Sequence, residues 1–270
     1  CTLPEALRPI ARSHQRVFYG LMMKATAASL MKLAADPHYV GGLLGVMTVL
    51  HTWSRTLTYH PHVHCLVPAG GVTDDGRWVP ARSKYLVPVR ALSRIFRGML
   101  RDLLTAALPD VQFPPSVWER DWVVHCKPAI QGADRVLEYL GRYVHRIAIT
   151  NSRILAIDNG RVTFRYQKTG ESCWRTMTLK AEEFIRRFLQ HVLPRGAHKV
   201  RYYGLWAPAN RTLLRRVQVA LLSSVSPGPP VQTALPADPA GPGSKLQRST
   251  CPFCSTGTLL FLRRLPPQTR

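Results

Sequence analysis

The sequence predicts an α+β fold, with antiparallel strand pairs, several helices and an unstructured tail. Three observations point there. An apolar, Val- and Thr-rich run behind Gly41-Gly42 is followed by the alternating segment 58–67, and the two read as an antiparallel strand pair. Asp158-Asn159-Gly160 between two short apolar segments signals a tight hairpin, because Asn-Gly tolerates positive φ. Residues 223–244 are dense in Pro, Gly, Ser and Ala with almost no large apolar side chains, so they cannot repay their ordering entropy.

In chain order, Val17, Leu21, Ala25, Ala28 and Leu30 recur near helical spacing and predict a helix over 12–33, ending at Asp36-Pro37. Strands follow over 46–53 and 58–67, joined by a turn at 54–56. Gly70-Gly71 and Asp74-Asp75-Gly76 predict a further turn, then a short strand around Trp78. A helix over 93–108 aligns Arg90, Arg94, Arg97 and Arg101 on one face, either a solvated surface or a stripe facing phosphates. After Pro114-Pro115, residues 118–127 read as a strand that Pro128 ends. Residues 133–146 read as a helix, with Asp134 near its positive end and Arg142, His145 and Arg146 near the other. The Asn-Gly hairpin spans 154–166 and a third strand 174–177. Thr178 is positioned to cap a helix through Leu193, with Glu182 and Glu183 in its first turn. Residues 199–205 form a basic, aromatic strand. The division expected is a folded domain over 1–222, a linker over 223–247 and a short Cys-containing tail over 248–270.

The 270 residues hold 37 Lys and Arg against 15 Asp and Glu, a formal charge of +22. Such a chain repels itself unless it meets a polyanion, and nucleic acid is the first candidate. A basic membrane-surface protein competes, but no apolar run reaches the ~18 residues of a spanning helix, and no signal-peptide pattern opens the chain. The expected location is the cytoplasm. Six scattered cysteines suit free thiols in a reducing compartment. The start at Cys1, without methionine, reads as a fragment with its first strand cut.

Two constellations carry chemistry. His60, His62 and His64 share one face of a strand, about 6.6 Å apart, while Val63 turns to the other side as a core anchor. Two such imidazoles can converge on one metal ion; the alternative is a merely solvated polar face. On the helix 133–146, Tyr139 and Tyr143 lie one turn apart on one face, opposite Val136, Leu137, Leu140 and Val144. That pair is either core margin or a pair of nucleophiles. A tyrosine is a poor nucleophile at its free pKa of about 10, but a divalent cation lowers the barrier from the electrophile's side. A phosphotyrosine conserves the energy of the broken bond for rejoining, and two tyrosines allow two successive transfers.

Together these features resemble the HUH-type rolling-circle transposases, specifically the two-tyrosine transposases of the insertion-sequence-91 family. The resemblance spans residues 2–220 and rests on four stretches. They are Thr2-Leu3-Pro4-Glu5-Ala6-Leu7-Arg8, the block from His51-Thr52-Trp53 through His60-Pro61-His62-Val63-His64 to Gly70-Gly71, the helix Tyr139-Leu140-Gly141-Arg142-Tyr143-Val144-His145-Arg146, and Tyr202-Tyr203-Gly204. It implies an HUH nuclease-like antiparallel sheet with helices packed on it. It also implies His62 and His64 as the pair holding Mg²⁺ or Mn²⁺, and Tyr139 and Tyr143 as nucleophiles. Each tyrosine would form a 5′-phosphotyrosine on single-stranded DNA at transposon ends and leave a 3′-hydroxyl that primes replication. For the third ligand, His60 sits a further ~6.6 Å along the strand, out of reach of a metal–nitrogen bond of about 2.1 Å. His51 on the neighbouring strand is expected instead, with Glu138 or His125 behind it. His60, Lys127, Arg142 and Arg146 are expected to contact DNA.

The chain departs from the family in lacking the N-terminal cysteine-rich zinc module. Cys251-Pro252-Phe253-Cys254 supplies only half of a four-ligand zinc site. Two other readings stay open: a non-catalytic DNA-binding remnant, and a histidine-triad nucleotide hydrolase in which His62 attacks phosphate without metal.

Overall fold

In the computed structural model of the chain, the described residues are 1–83, 85–129, 132–144, 148–168, 170–224, 248–250 and 258–260. The side chains of Ala133, Arg142, Tyr143 and Ser224 and of the last two segments lie outside that description, as do Arg146 and the Cys251/Cys254 pair. The chain divides into two compact units, Cys1–Ser224 and Val225–Arg270. The described part of the second is an antiparallel pair, Arg248–Thr250 with Thr258–Leu260; of the linker expected over 223–247, residues 225–247 lie outside the described residues.

The first unit is α+β, built from helices and antiparallel strands. Strand β1 (Gly45–Trp53) is central, with β2 (Tyr59–Leu66) antiparallel on one side and β8 (Val200–Gly204) antiparallel on the other. Its apolar run is buried almost throughout because both faces are covered. On the far side of β2, Val63 N–H donates to Cys1 O (2.9 Å) and Leu3 N–H to Pro61 O (3.0 Å), so the first residues line the histidine strand. The alternation predicted for β2 is present. Tyr59, Pro61 and Val63 are buried, while His60, His62 and His64 occupy the other face.

Tyr59 and Val63 enter a core with Phe18, Met22, Phe96 and Leu100, formed by helices α2 (Gln15–Ala34) and α3 (Val89–Ala107). Helix α3 buries Leu92, Phe96, Leu100 and Leu104, a stripe at four-residue spacing. Its predicted arginine stripe lies off that face, and Arg97 is tied down at Arg120 O and Asp121. The hairpin 154–166 forms as β5 (Ile154–Asp158) and β6 (Arg161–Gln167). With β7 (Trp174–Lys180) they make a second sheet. Phe164, Ala148, Ile149 and Leu57 form its core, with Phe184 of helix α6 (Ala181–Leu189) against them.

Several expectations need correction. The helix predicted from residue 12 is two, α1 (Arg8–Ser13) and α2, separated at His14, whose backbone leaves the helical region (φ −121°, ψ 38°). Pro9 in the first turn starts the helix earlier than the apolar pattern does. Gly70-Gly71 belongs to strand β3 (Gly70–Val72), paired with β4 (Trp78–Pro80), and the turn is confined to residues 73–77. A Cβ on Gly70 would stand 2.5 Å from the Trp78 ring, so the glycine serves close packing and not a bend. Residues 118–127 are not a ladder strand: Ser116–Glu119 is a short helix α4, and Trp122 exchanges its backbone N–H and C=O bonds with Ser93 Oγ of α3. Thr178 is no cap; it pairs with Thr163 inside β7, and α6 starts at Ala181 and stops at Leu189. The sequence pattern also gave no sign of α7 (Arg211–Ser224), whose Leu213, Leu214 and Val217 pack on Val72 and Leu205. Among the described residues, no helix is long and apolar enough to cross a membrane.

Candidate metal centre

β1 and β2 are in a register that places His51 directly opposite His62. Paired residues share a face, so His51 joins the side occupied by His62 and His64. The candidate ligand nitrogens of His51, His62 and His64 all lie within 4.8 Å of one another. Bonds of about 2.1 Å to a shared ion allow roughly 4.2 Å between ligand atoms, so small ring rotations would close the set. Ring centroids are 4.6 Å apart for His51 and His64 and 4.9 Å for His62 and His64.

The donor set suits a cation. Burial, with the neighbouring imidazoles as a lesser cause, pushes His62 down to about 3 and His64 to about 2. Both rings are therefore neutral at neutral pH and keep a lone pair for a metal. His62 Nδ1 donates to the backbone carbonyl of His60 (2.7 Å), which fixes the tautomer and leaves the Nε2 lone pair available to a metal.

His60 lies outside the cluster. Its ring centroid is 5.3 Å from that of His62, and its Nδ1 faces Arg8 Nη2 at 3.0 Å. Burial and the Arg8 charge both lower its pKa. Glu138 is exposed on helix α5 (Ala133–Val144), and His125 lines the neighbouring cleft; neither joins the group of three.

That cleft, of about 370 Å³, is bordered by His62, His64, His125, Lys127 and Tyr139, which brings a residue of α5 to the histidine pair. Lys127 is near enough that its charge adds to the depression of His64. Tyr143 follows Tyr139 by one turn in α5, but its side chain, like that of Arg142, is outside the described part, and Arg146 is outside altogether.

Residues to which the sequence pattern gave no role support the ligands. The Trp53 ring stacks on His51 (centroids 4.5 Å, 20° between planes). Lys199 Nζ lies 5.1 Å from the Trp53 centroid and donates to Val144 O at the end of α5 (3.3 Å). His191 also meets Trp53, edge-on at 6.1 Å, with its Nδ1 paired to Thr52 Oγ1. Trp53 was legible as the same-face neighbour of His51. Lys199 and His191 come from far along the chain, and no local pattern signals them.

Comparison with known proteins finds transposases. The family model Y2_Tnp, described as "Putative transposase", matches residues 45–212, which include all of β1 and β2, α5 and β8. A "Putative transposase y4qJ" of Sinorhizobium fredii is 38% identical over 285 aligned residues, covering 97% of this chain and 71% of the relative. The transposase for insertion sequence element IS801 of Pseudomonas savastanoi pv. phaseolicola is 30% identical over 254, covering 84% of this chain and 58% of that protein. No solved structure matches the chain. With more than half its length under the family model and a relative of this similarity along nearly all of it, the chain belongs to the Y2 transposase family of HUH-type rolling-circle transposases.

Proposed function

We propose that the chain nicks single-stranded DNA at transposon ends and transfers the strand through 5′-phosphotyrosine intermediates, with Tyr139 and Tyr143 as the nucleophiles. The observation that carries the reading is that Tyr139 borders the same cleft as His62, His64 and Lys127. His51, His62 and His64 would hold Mg²⁺ or Mn²⁺, which when bound would polarise a phosphodiester oxygen as a Lewis acid.

The protein's own residues then do the rest. The tyrosine oxygen attacks phosphorus as its proton leaves to solvent, the P–O3′ bond breaks, and O3′ gains a proton as a free hydroxyl. Lys127 steadies the negative oxygens of the phosphate from the cleft wall. Trp53 and the His60 carbonyl hold two of the ligand rings in orientation. His60, Arg142 and Arg146 take strand contacts in this proposal, on the strength of their chemistry and their places in the sequence. The activity is assigned to residues 1–222 of a cytoplasmic protein, with 223–247 a linker to the tail 248–270.

The test is a denaturing gel of labelled single-stranded oligonucleotides incubated with the protein and Mn²⁺. The expected result is a protein–DNA adduct on the 5′ end created by the nick, absent in EDTA and absent in the double variant Y139F/Y143F. An adduct that survives the double substitution would remove the tyrosine assignment. DNA binding without any adduct would favour the non-catalytic remnant.

A further inference from the structure

The second sheet presents a face that the cleft does not use. Its inner side is committed to packing, with Phe164 and Val162 buried. Register and alternation put Arg161, Thr163 and Arg165 of β6 on the outer side, with Trp174, Thr178 and Lys180 of β7. Trp174 is 52% exposed. The Arg165 guanidinium carbon lies 4.8 Å from its ring centroid, and the Thr163 and Thr178 hydroxyls are bonded at 2.9 Å. Asp158, in register with Arg161, is the one carboxylate in these three strands.

Folding alone gives no reason for an indole to stand half in water on a cationic sheet face. A polyanion could be held by the charges without it. The combination of a base-sized aromatic plane, a guanidinium stacked on it and flanking cations instead matches what unpaired bases and their phosphates need. The position fits as well. Gln167, paired with Trp174, accepts from Arg55 Nη1 through its carbonyl (3.3 Å), and Arg153 Nη2 donates to Arg55 O (2.8 Å). Arg55 lies in the turn that closes the β1–β2 hairpin, so the Trp174 end of the sheet abuts the tip of the hairpin carrying the histidines.

We propose that this face binds single-stranded DNA outside the cleft, stacking a base on Trp174 and taking phosphates on Arg161, Arg165 and Lys180. The proposal rests on the reading of the chain as one that acts on DNA. It is tested by fluorescence anisotropy with a labelled oligothymidylate in EDTA. Trp174→Ala should weaken binding roughly tenfold or more, the scale of one lost base–aromatic stack, and Trp174→Phe should restore most of it. Lys180→Ala should weaken binding less and make the salt slope shallower by about 0.7.

A W174A protein that binds within twofold of the unsubstituted chain would overturn the proposal. So would an equal loss on single-stranded and duplex DNA, because stacking needs unpaired bases. If W174A melts early, Trp174→Leu takes its place, since leucine keeps the apolar bulk without the aromatic plane, and the same two outcomes apply. Because no divalent metal is present, the assay reads binding alone. Protein that binds through Trp174 but forms no tyrosyl adduct would keep this proposal and lose the cleavage reading.

Discussion

His62 can do two jobs with its two nitrogens: Nδ1–H donates a hydrogen bond to the His60 carbonyl, and Nε2 keeps its lone pair for a ligand. His60 thus acts near the cluster through its backbone, while its own ring is turned to Arg8. Strand spacing alone separates His60 from the pair by distance, but it cannot assign its ring to Arg8, because Arg8 comes from a helix 52 residues away. The three rings of the cluster and that of His60 should therefore respond differently to truncation. On the proposed reading, His51→Ala, His62→Ala and His64→Ala are each expected to lower Mn²⁺ affinity by roughly 100-fold or more, as isothermal titration would show, since each would remove a ligand, whereas the loss of a supporting group costs about 10–100-fold. His60→Ala should change it by about tenfold or less, because the backbone carbonyl that orients His62 survives the substitution. Equal losses at all four positions would mean that the cluster is assembled differently. Trp53→Ala belongs with the supporting changes too, because it frees the ring of His51 without removing a donor.

At the scale of elements, the β1–β2 hairpin is the piece everything else must hold. Its tip contains Leu57, fully buried at φ +62°, a left-handed conformation that costs a leucine about 1–2 kcal/mol. The cost is offset by packing on Ala148, Ile149 and Phe164, and His191 Nε2 faces the Leu57 carbonyl at 3.1 Å. Leu57→Ala should destabilise by about 2–5 kcal/mol. Leu57→Gly, normally the worse change, should be no worse than Leu57→Ala here, since glycine removes the backbone strain. Urea midpoints at unchanged m-value decide between the two orders. The hairpin's two strands were legible because period-two alternation and a long buried run are local signals, as was the 154–166 hairpin through Asn159-Gly160. Leu57's strain was not, since it exists only against side chains that come much later in the chain. Residues 118–127 misled for a similar reason: their aromatic content suits a strand, but Ser93 of α3 takes the backbone bonds of Trp122. The same logic applies to the site. His62 and His64 could be read from one strand, and His51 from the strand expected beside it, whereas Lys199 needed the fold.

At the scale of the whole molecule, a charge of +22 on 270 residues is the strongest influence that does not depend on any one contact. Coulomb repulsion among so many cations disfavours the compact state, and among the described residues the ion pairs are mostly between near neighbours in sequence, the pairs of Arg186 with Glu183 and Arg77 with Asp75 lying at the surface. Pairs of that kind contribute little, about 0–1 kcal/mol each. The charge is therefore available to a polyanion, and binding DNA releases the counterions condensed on it. If about six or more phosphates are neutralised, the affinity for single strands should fall with a log–log salt slope of about −4 or steeper. Anisotropy titrations in EDTA across a series of monovalent salt concentrations give the slope directly. A value shallower than about −2 would mean that roughly two or three phosphates at most are engaged, too few for the cleft and the outer sheet face to hold one strand together. Stacking on Trp174 carries little of this dependence, so W174A should lower the line while leaving its slope nearly unchanged, whereas K180A should flatten it. That difference would separate electrostatic capture of a strand, which draws on many cations, from the proposed placement of a base beside the histidine hairpin, which draws on a few residues.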